Sequence, residues 1–289
     1  MKCHSSRTDP FIRSVLFRRI FAVATLFFAP FTHAASSTFY EGFDGSFSQA
    51  WNSSPGALPP VPLDPFRAQT VLDAGAPTSS FATVDGYSVL RMNTTAAPSW
   101  TRFGFRSEAT VGGASLELEA RINTLNQGGL NIDGLFDVWL INSQDPAKYV
   151  QVGMFGDQFG TRRAWYAYGS GGPFLMPDFA YASYTWYKLR ITANPGQNLE
   201  VSIWNDAGNA KLVSHTFDYQ LGSLGSDFNI AFSQWMGGPN QTYSMLSAVD
   251  YIQLVPEPTT FPLIGVAALS LFITQIWRRN AAQNRAGAT

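Results

Sequence analysis

Between residues 35 and 254 the apolar positions fall in short runs and period-two alternations, with almost none of the 3.6-residue spacing of helices. Ala114–Ile122 shows the alternation best. Leu116, Leu118, Ala120 and Ile122 point one way, and Ser115, Glu117, Glu119 and Arg121 the other. Leu135–Ile141 is instead nearly continuously apolar, which predicts a strand covered on both faces. Tyr149–Phe155, Arg162–Tyr168, Trp186–Thr192, Leu199–Trp204, Leu212–Phe217, Phe228–Ser233 and Ala248–Val255 follow at short spacing. Asn194-Pro195-Gly196 and Asn205–Asn209 are turn chemistry, and short turns between successive strands imply antiparallel pairing. Residues 52–76 break the pattern. Pro55, Pro59, Pro60, Pro62 and Pro65 are unsuited to a sheet interior, so this Pro-rich segment reads as a surface loop or lid, or as a disordered insertion. With about a dozen short strands, the usual solutions are a sandwich or a barrel.

The two ends have a different pattern. Lys2, Arg7, Arg13, Arg18 and Arg19 precede an apolar core, Ile20–Phe31, and the small-residue site Thr32-His33-Ala34, so residues 1–34 read as a cleaved signal peptide for Sec export. At the other end, residues 255–289 place Pro256-Glu257-Pro258 before an uncharged apolar run, 261–277, and then Arg278-Arg279. At 1.5 Å per residue that run reaches ~25 Å, the short end of a transmembrane helix, and the Arg pair obeys the positive-inside rule. The ordered set of Pro256, Glu257, Pro258, apolar helix, Arg278 and Arg279 resembles the PEP-CTERM sorting signal of Gram-negative bacteria. The resemblance implies an exosortase as partner, passage through the inner membrane by way of the C-terminal helix, and delivery to the cell surface or an exopolysaccharide matrix.

Composition narrows what lies between. Cys3 falls in the signal peptide, so the segment 35–254 has no cysteine, which excludes disulfides, zinc ribbons and thiol catalysis. Lys2, Arg7, Arg13, Arg18, Arg19, Arg278, Arg279 and Arg285 leave with the two ends, against only Asp9 and Glu257. The remaining domain is acidic, which argues against nucleic acid as a partner and against strongly anionic polysaccharide. Aromatics make up 15% of the chain and charges 13%, so some of the tryptophans must fill a core.

Phe39-Tyr40-Glu41-Gly42-Phe43-Asp44-Gly45 with Trp51, the closing Ala248–Leu254 and the hairpin Trp186–Ile191/Leu199–Trp204 together resemble the concanavalin A-like, laminin G-like jelly rolls. That resemblance implies an all-β, antiparallel jelly-roll β-sandwich over residues 35–254, with first and last strands paired.

No catalytic set assembles from the sequence. Jelly-roll glycosidases of the laminarinase type carry carboxylates at i, i+2 and i+5 of one strand. Glu117 and Glu119 match the first two positions, but Ile122 stands at the third and Arg121 intervenes. Asp133 and Asp137 share a strand face by parity but lie ~13 Å apart at ~3.3 Å per residue. His215, the one histidine of the segment, has no determined facing; no Gly-x-Ser-x-Gly elbow is present, and Gly169–Pro173 has neither Lys nor following helix. No cofactor is required. A structural calcium is a candidate where first and last strands meet, with Glu41, Asp44 and Asp250 as oxygen ligands. For polysaccharide, flat rings that stack on sugar C–H faces are the expected chemistry, and Trp165, Tyr166, Tyr168, Trp186 and Trp204 with Arg162 are the candidates. Three readings stay open: a non-catalytic, carbohydrate-binding surface or matrix protein, a glycan-cleaving enzyme of the same fold, and a purely structural surface protein.

Overall fold

The computed structural model describes residues 39–59, 72–75, 78–94, 101–113, 115–126, 133–156, 162–169, 171–176, 179–194, 196–237 and 245–255. The segment 1–34 expected to be a signal peptide, the expected sorting residues Pro256, Glu257, Pro258, Arg278 and Arg279, and the expected helix over 261–277 lie outside them.

The described residues form a sandwich of two sheets, with strands numbered along the chain. The first sheet holds β1 (Phe39–Glu41), β4 (Thr78–Val84), β5 (Tyr87–Thr94), β8 (Leu116–Asn126), β13 (Trp186–Ala193), β14 (Glu200–Asn205), β15 (Lys211–Thr216) and β17 (Met245–Val255). Their order is β15-β14-β13-β8-β17-β5-β4, with β1 beside β17. The second sheet holds β2 (Trp51–Asn52), β3 (Leu72–Gly75), β6 (Thr101–Ser107), β7 (Val111–Gly112), β9 (Asp133–Asn142), β10 (Tyr149–Gly156), β11 (Arg162–Tyr168), β12 (Gly171–Leu175) and β16 (Asp227–Gly237). Its order is β12-β11-β10-β9-β16-β6-β2, with β3 beside β6 and β7 beside β16. Among the described residues the pairings are antiparallel except β3 with β6, and the helical element is one 3-10 turn, Leu221–Ser223.

The alternation of β8 sets the layers. Leu116, Leu118, Ala120 and Ile122 enter the core between the sheets, where Phe136, Val138 and Leu140 of β9 and Ile230 and Phe232 of β16 meet them. The continuous run on β9 is buried throughout: Phe136–Ile141 have no exposed surface. Trp139 and Ile141 point away from the first sheet into a separate cluster with Leu58, Tyr149, Trp165, Ala167, Ala231 and Trp235. The second sheet is thus buried on both faces.

Several segments differ from the sequence reading. Leu72–Gly75, inside the expected Pro-rich loop, is a strand, because it lies parallel to β6 at a sheet edge, where prolines nearby remove no ladder bond. Gly171–Leu175, read as a flexible glycine loop, pairs with β11 as β12, with an irregular register between Tyr166 and Tyr168. The hairpin β4–β5 also escapes the strand pattern. Its turn is Asp85-Gly86, both at positive φ (50 and 86°), the two-residue turn whose twist suits a hairpin.

First and last strands pair as the jelly-roll resemblance implies, with Phe39 opposite Leu254 and Glu41 opposite Ile252. Glu41 is completely buried, and its carboxylate accepts from the backbone N–H groups of Phe43 (3.2 Å), Ser48 (3.0 Å) and Gln49 (2.9 Å) and from Trp51 Nε1 (3.1 Å). It ties the loop 42–50 to the start of both sheets. Glu41→Ala leaves these donors without an acceptor and is expected to lower stability by about 2–4 kcal/mol in denaturant unfolding. An unchanged midpoint would show that the loop holds without it.

Candidate functional site

Two outer faces carry polar chemistry, and they are built differently. On the second sheet the centre is Asp137 of β9, fully buried. Trp139 Nε1 donates to it at 2.5 Å, Gln151 Nε2 at 2.8 Å, and Ser233 Oγ through a short bond. Register explains the meeting: Gly153 of β10 and Ser233 of β16 lie directly opposite Asp137. Gly153 has no Cβ because the Trp165 indole occupies that space; a Cβ there would stand 2.5 Å from Trp165 Nε1. Tyr149 packs on Trp139 with ring centroids 5.0 Å apart, and Trp165 meets Trp235 edge-on at 6.3 Å.

A lid closes this face. Arg102, its guanidinium 5.7 Å from the Trp139 ring and 5.5 Å from the Trp235 ring, donates to the Pro59 carbonyl (2.7 Å) and the Leu58 carbonyl (3.2 Å). Ala57, Leu58 and Pro59 are buried by this contact. Leu58 comes so close to β6 that a Cβ on Gly104 would lie 2.5 Å from Leu58 Cδ1. The described part of the Pro-rich segment therefore plugs the aromatic face.

Inside the enclosure Tyr149 OH, Gln151 Oε1 and Trp165 Nε1 have no hydrogen-bond partner among the described residues. Burial pushes the Asp137 carboxyl up to about 7, against the hydrogen bonds and the Arg102 charge that favour its anion.

The outer face of the first sheet is ionic. Glu119 of β8 accepts from Tyr251 OH (2.5 Å), Gln253 Nε2 (3.1 Å) and Arg190 Nε (2.5 Å), with Lys188 Nζ at 3.5 Å. Burial opposes its charge, but the Tyr251 hydrogen bond and the Arg190 and Lys188 cations outweigh it and hold the carboxyl below its usual range. Arg121 bridges Asp206 (2.6 Å) and Asp250 (2.7 Å) between the Tyr87 and Trp186 rings. Glu117 lies 3.4 Å from the same Arg190. Glu119 is enclosed, with only 4% of its side chain exposed. Glu119, held ionised, is not the raised carboxyl that a general acid needs.

The aromatic candidates do not form one surface. Trp165 is sealed under the lid on the second sheet. Tyr166 and Tyr168 face inward between the sheets, where Tyr166 stacks on His215 (3.9 Å) and both contact Phe174 and Phe217. His215 thus faces Tyr166, beside Phe217, and burial lowers its pKa despite Asp218. Trp186 and Trp204 share the outer face of the first sheet, and the Arg162 side chain lies outside the described residues. The calcium candidates are likewise separated in role. Glu41 is occupied by the loop donors and Asp250 by Arg121, Asp44 sits on the exposed loop, and among the described residues no group of three acidic, His or Cys side chains could hold a metal ion.

The sequence reading missed Arg102, Gln151 and Ser233. Its one available signal was a carboxylate inside an apolar run: Asp137 within Leu135–Ile141 has to find buried partners.

No protein-family model matches the sequence, and no curated protein matches it. Solved structures do. The Bacillus licheniformis β-glucanase is 12% identical, covers 77% of this chain and 100% of its own, and superposes with a TM-score of 0.52. The pseudo β-1,3-glucanase of Mycobacterium tuberculosis is 16% identical over 76% of this chain and 98% of its own, TM-score 0.52. The CBM2 module of the evolved Dit of Lactobacillus casei BL23 phage J-1 is 12% identical over 76% and 96%, TM-score 0.54. These likenesses show a shared jelly-roll sandwich fold.

Asp137 fixes the sign of one pH dependence. Its folded pKa is raised, so its stabilising contribution is complete at low pH and fades as pH climbs from 3.8 towards about 7. The stability difference between the wild type and Asp137→Asn should therefore shift against the wild type across that window in urea titrations, and flatten above it. A difference that stays constant from pH 4 to 7 would mean that Asp137 is ionised throughout.

Proposed function

We propose that this chain is an exported, non-catalytic carbohydrate-binding β-sandwich, sorted through its C-terminal segment to the cell surface or exopolysaccharide matrix. The observation that carries the non-catalytic part is Asp137, a carboxyl enclosed in the centre of the second sheet whose partners among the described residues, Trp139, Gln151, Ser233 and the Arg102 charge, include no second carboxylate. Glycoside hydrolysis by two carboxylates needs a second one about 5–10 Å away and room for the sugar between them. The charge that bears on Asp137 is instead the Arg102 cation, and Ala57–Pro59 fill the space above. The carbohydrate part is supported by the fold shared with a β-glucanase and a CBM2 module, together with an aromatic-rich, acidic domain that disfavours nucleic acid.

Affinity electrophoresis of the full chain in gels containing laminarin or mixed-linkage β-glucan should show retardation, and overnight incubation should release no reducing ends. Absence of retardation by every neutral glycan would leave a structural surface protein. Reducing-end release abolished by Glu119→Gln or Asp137→Asn would establish the enzyme.

The sorting proposal rests on Pro256-Glu257-Pro258, the apolar run and Arg278-Arg279. An exosortase would recognise the tripeptide while the helix holds the chain in the inner membrane. Alanines at Pro256, Glu257 and Pro258 should leave the protein in the inner-membrane fraction, whereas release equal to wild type would refute recognition of the motif.

A further inference from the structure

A groove of about 460 Å³ opens on the outer face of the first sheet, at the end of the β13–β14 hairpin. That volume lies within the range of small-ligand sites, roughly 300–1,000 Å³. Its walls include Trp204, Thr192, Asn198, the carboxylates Glu117 and Glu200, and the cations Arg190 and Lys211. Strand parity puts these side chains together: Thr192 opposes Glu117 on β8 and Glu200 on β14, and Trp204 opposes Lys211 across the edge pair.

The charges in this groove are already matched. Lys211 Nζ is 2.5 Å from Glu200, and Arg190 Nε is 3.4 Å from Glu117 and 2.5 Å from Glu119. A charged ligand would have to displace one member of a pair that is already formed. A neutral ligand need not, because a paired carboxylate keeps lone pairs that accept from hydroxyls. Trp204 is fixed before any ligand arrives. Its Nε1 donates to Ser202 Oγ at 2.9 Å, and Arg190 and Lys211 lie 4.5 and 5.4 Å from its ring centre. The ring is only part-buried, so an apolar edge of it remains to meet C–H groups. The neighbouring turn is pinned as well. Asp206 is held by Arg121, and Gly208, at φ +71°, lies against the Lys188 and Arg190 heads, where a Cβ would come within 3.2 Å of both.

We infer that this groove binds a neutral, polyhydroxylated chain, an uncharged oligosaccharide, with Trp204 as the apolar contact and Glu117, Glu200 and Asn198 as hydroxyl partners. The inference rests on the carbohydrate-binding reading and assigns its site. It places the ligand on the first sheet, because the aromatic face of the second is closed by Ala57–Pro59.

The test is affinity electrophoresis of the full chain in laminarin and mixed-linkage β-glucan gels, with alginate as the anionic counterpart. Thr192→Trp fills the groove without removing a native ring, and Trp204→Ala removes the apolar contact. Each should weaken binding at least about tenfold, the loss expected of a central contact, while Asp137→Asn changes it less than about twofold. Groove variants that keep the wild-type near-UV circular dichroism and bind neutral glucan like wild type overturn the site while leaving carbohydrate binding standing. Loss of binding confined to Asp137→Asn moves the ligand to the second sheet. Retardation by alginate alone overturns the neutral class, and no retardation of the wild type in any gel removes the site and the carbohydrate reading together.

Discussion

The rest of the structure depends on the contact between Arg102 and the carbonyls of Leu58 and Pro59, which turns the outer face of the second sheet into a second core. A sheet in a sandwich ordinarily buries one face and wets the other. Here Trp139, Trp165 and Trp235 on the far side are as enclosed as the leucines between the sheets. The guanidinium can be buried there because two indole rings flank it and backbone oxygens receive its protons. Once that cover is in place, a carboxyl beneath it has to find its hydrogen bonds from within. Asp137 collects Ser233, Trp139 and Gln151 for that reason, and its anion loses the solvation that would keep its proton off.

Glu119 shows the reverse outcome with the same functional group. It too is nearly without solvent, yet it stays ionised because two cations and a phenol converge on it. One carboxyl raised and one lowered would suggest an acid–base pair if they shared a cleft. They do not. Each projects from the outer face of its own sheet, and face-packed sheets stand about 10 Å apart. The two shifts are separate consequences of two environments, an aromatic enclosure and an ion-pair lattice, and neither supplies a partner for the other.

The strand skeleton was readable because it rests on local alternation. Phe136–Ile141 is buried on both sides as its pattern demands, and the apolar side of Leu116–Ile122 enters the core, although Glu119 and Arg121 on its other side are buried as well, in ion pairs. The hairpin Trp186–Ala193 with Glu200–Asn205 also announced itself, through Asn194 and Gly196. Apart from the local hairpin Thr78–Thr94, what escaped was whatever depends on long-range partners. Leu72–Gly75 is a strand only because Thr101–Phe103 offers an edge, and nothing local marks it. The aromatic set Trp165, Tyr166, Tyr168, Trp186 and Trp204 looked like one surface because the residues are close in sequence or on neighbouring strands. Parity divides Trp165 from Tyr166, and sheet membership divides both from Trp204. Which outer face is covered cannot be read from a strand, since the cover comes from Ala57–Pro59, far off along the chain.

Stability and site placement follow from one another. Between residues 35 and 254 there is no cysteine, so no disulfide restrains the unfolded chain, and the folded state rests on burial. Covering the second sheet on both sides enlarges the apolar area removed from water, at roughly 25 cal/mol per Å². The same cover withdraws Trp139, Trp165 and Trp235 from any ligand. A face that serves as core cannot also serve as a groove without opening a fully packed, partly polar interior, and the Arg102 bonds oppose that. The first sheet has no such conflict. Its outer face is held by ion pairs that tolerate water, and the space beside Trp204 can be filled or emptied without disturbing the core between the sheets. In this sandwich the division between covered core and open polar surface is therefore a division between sheets.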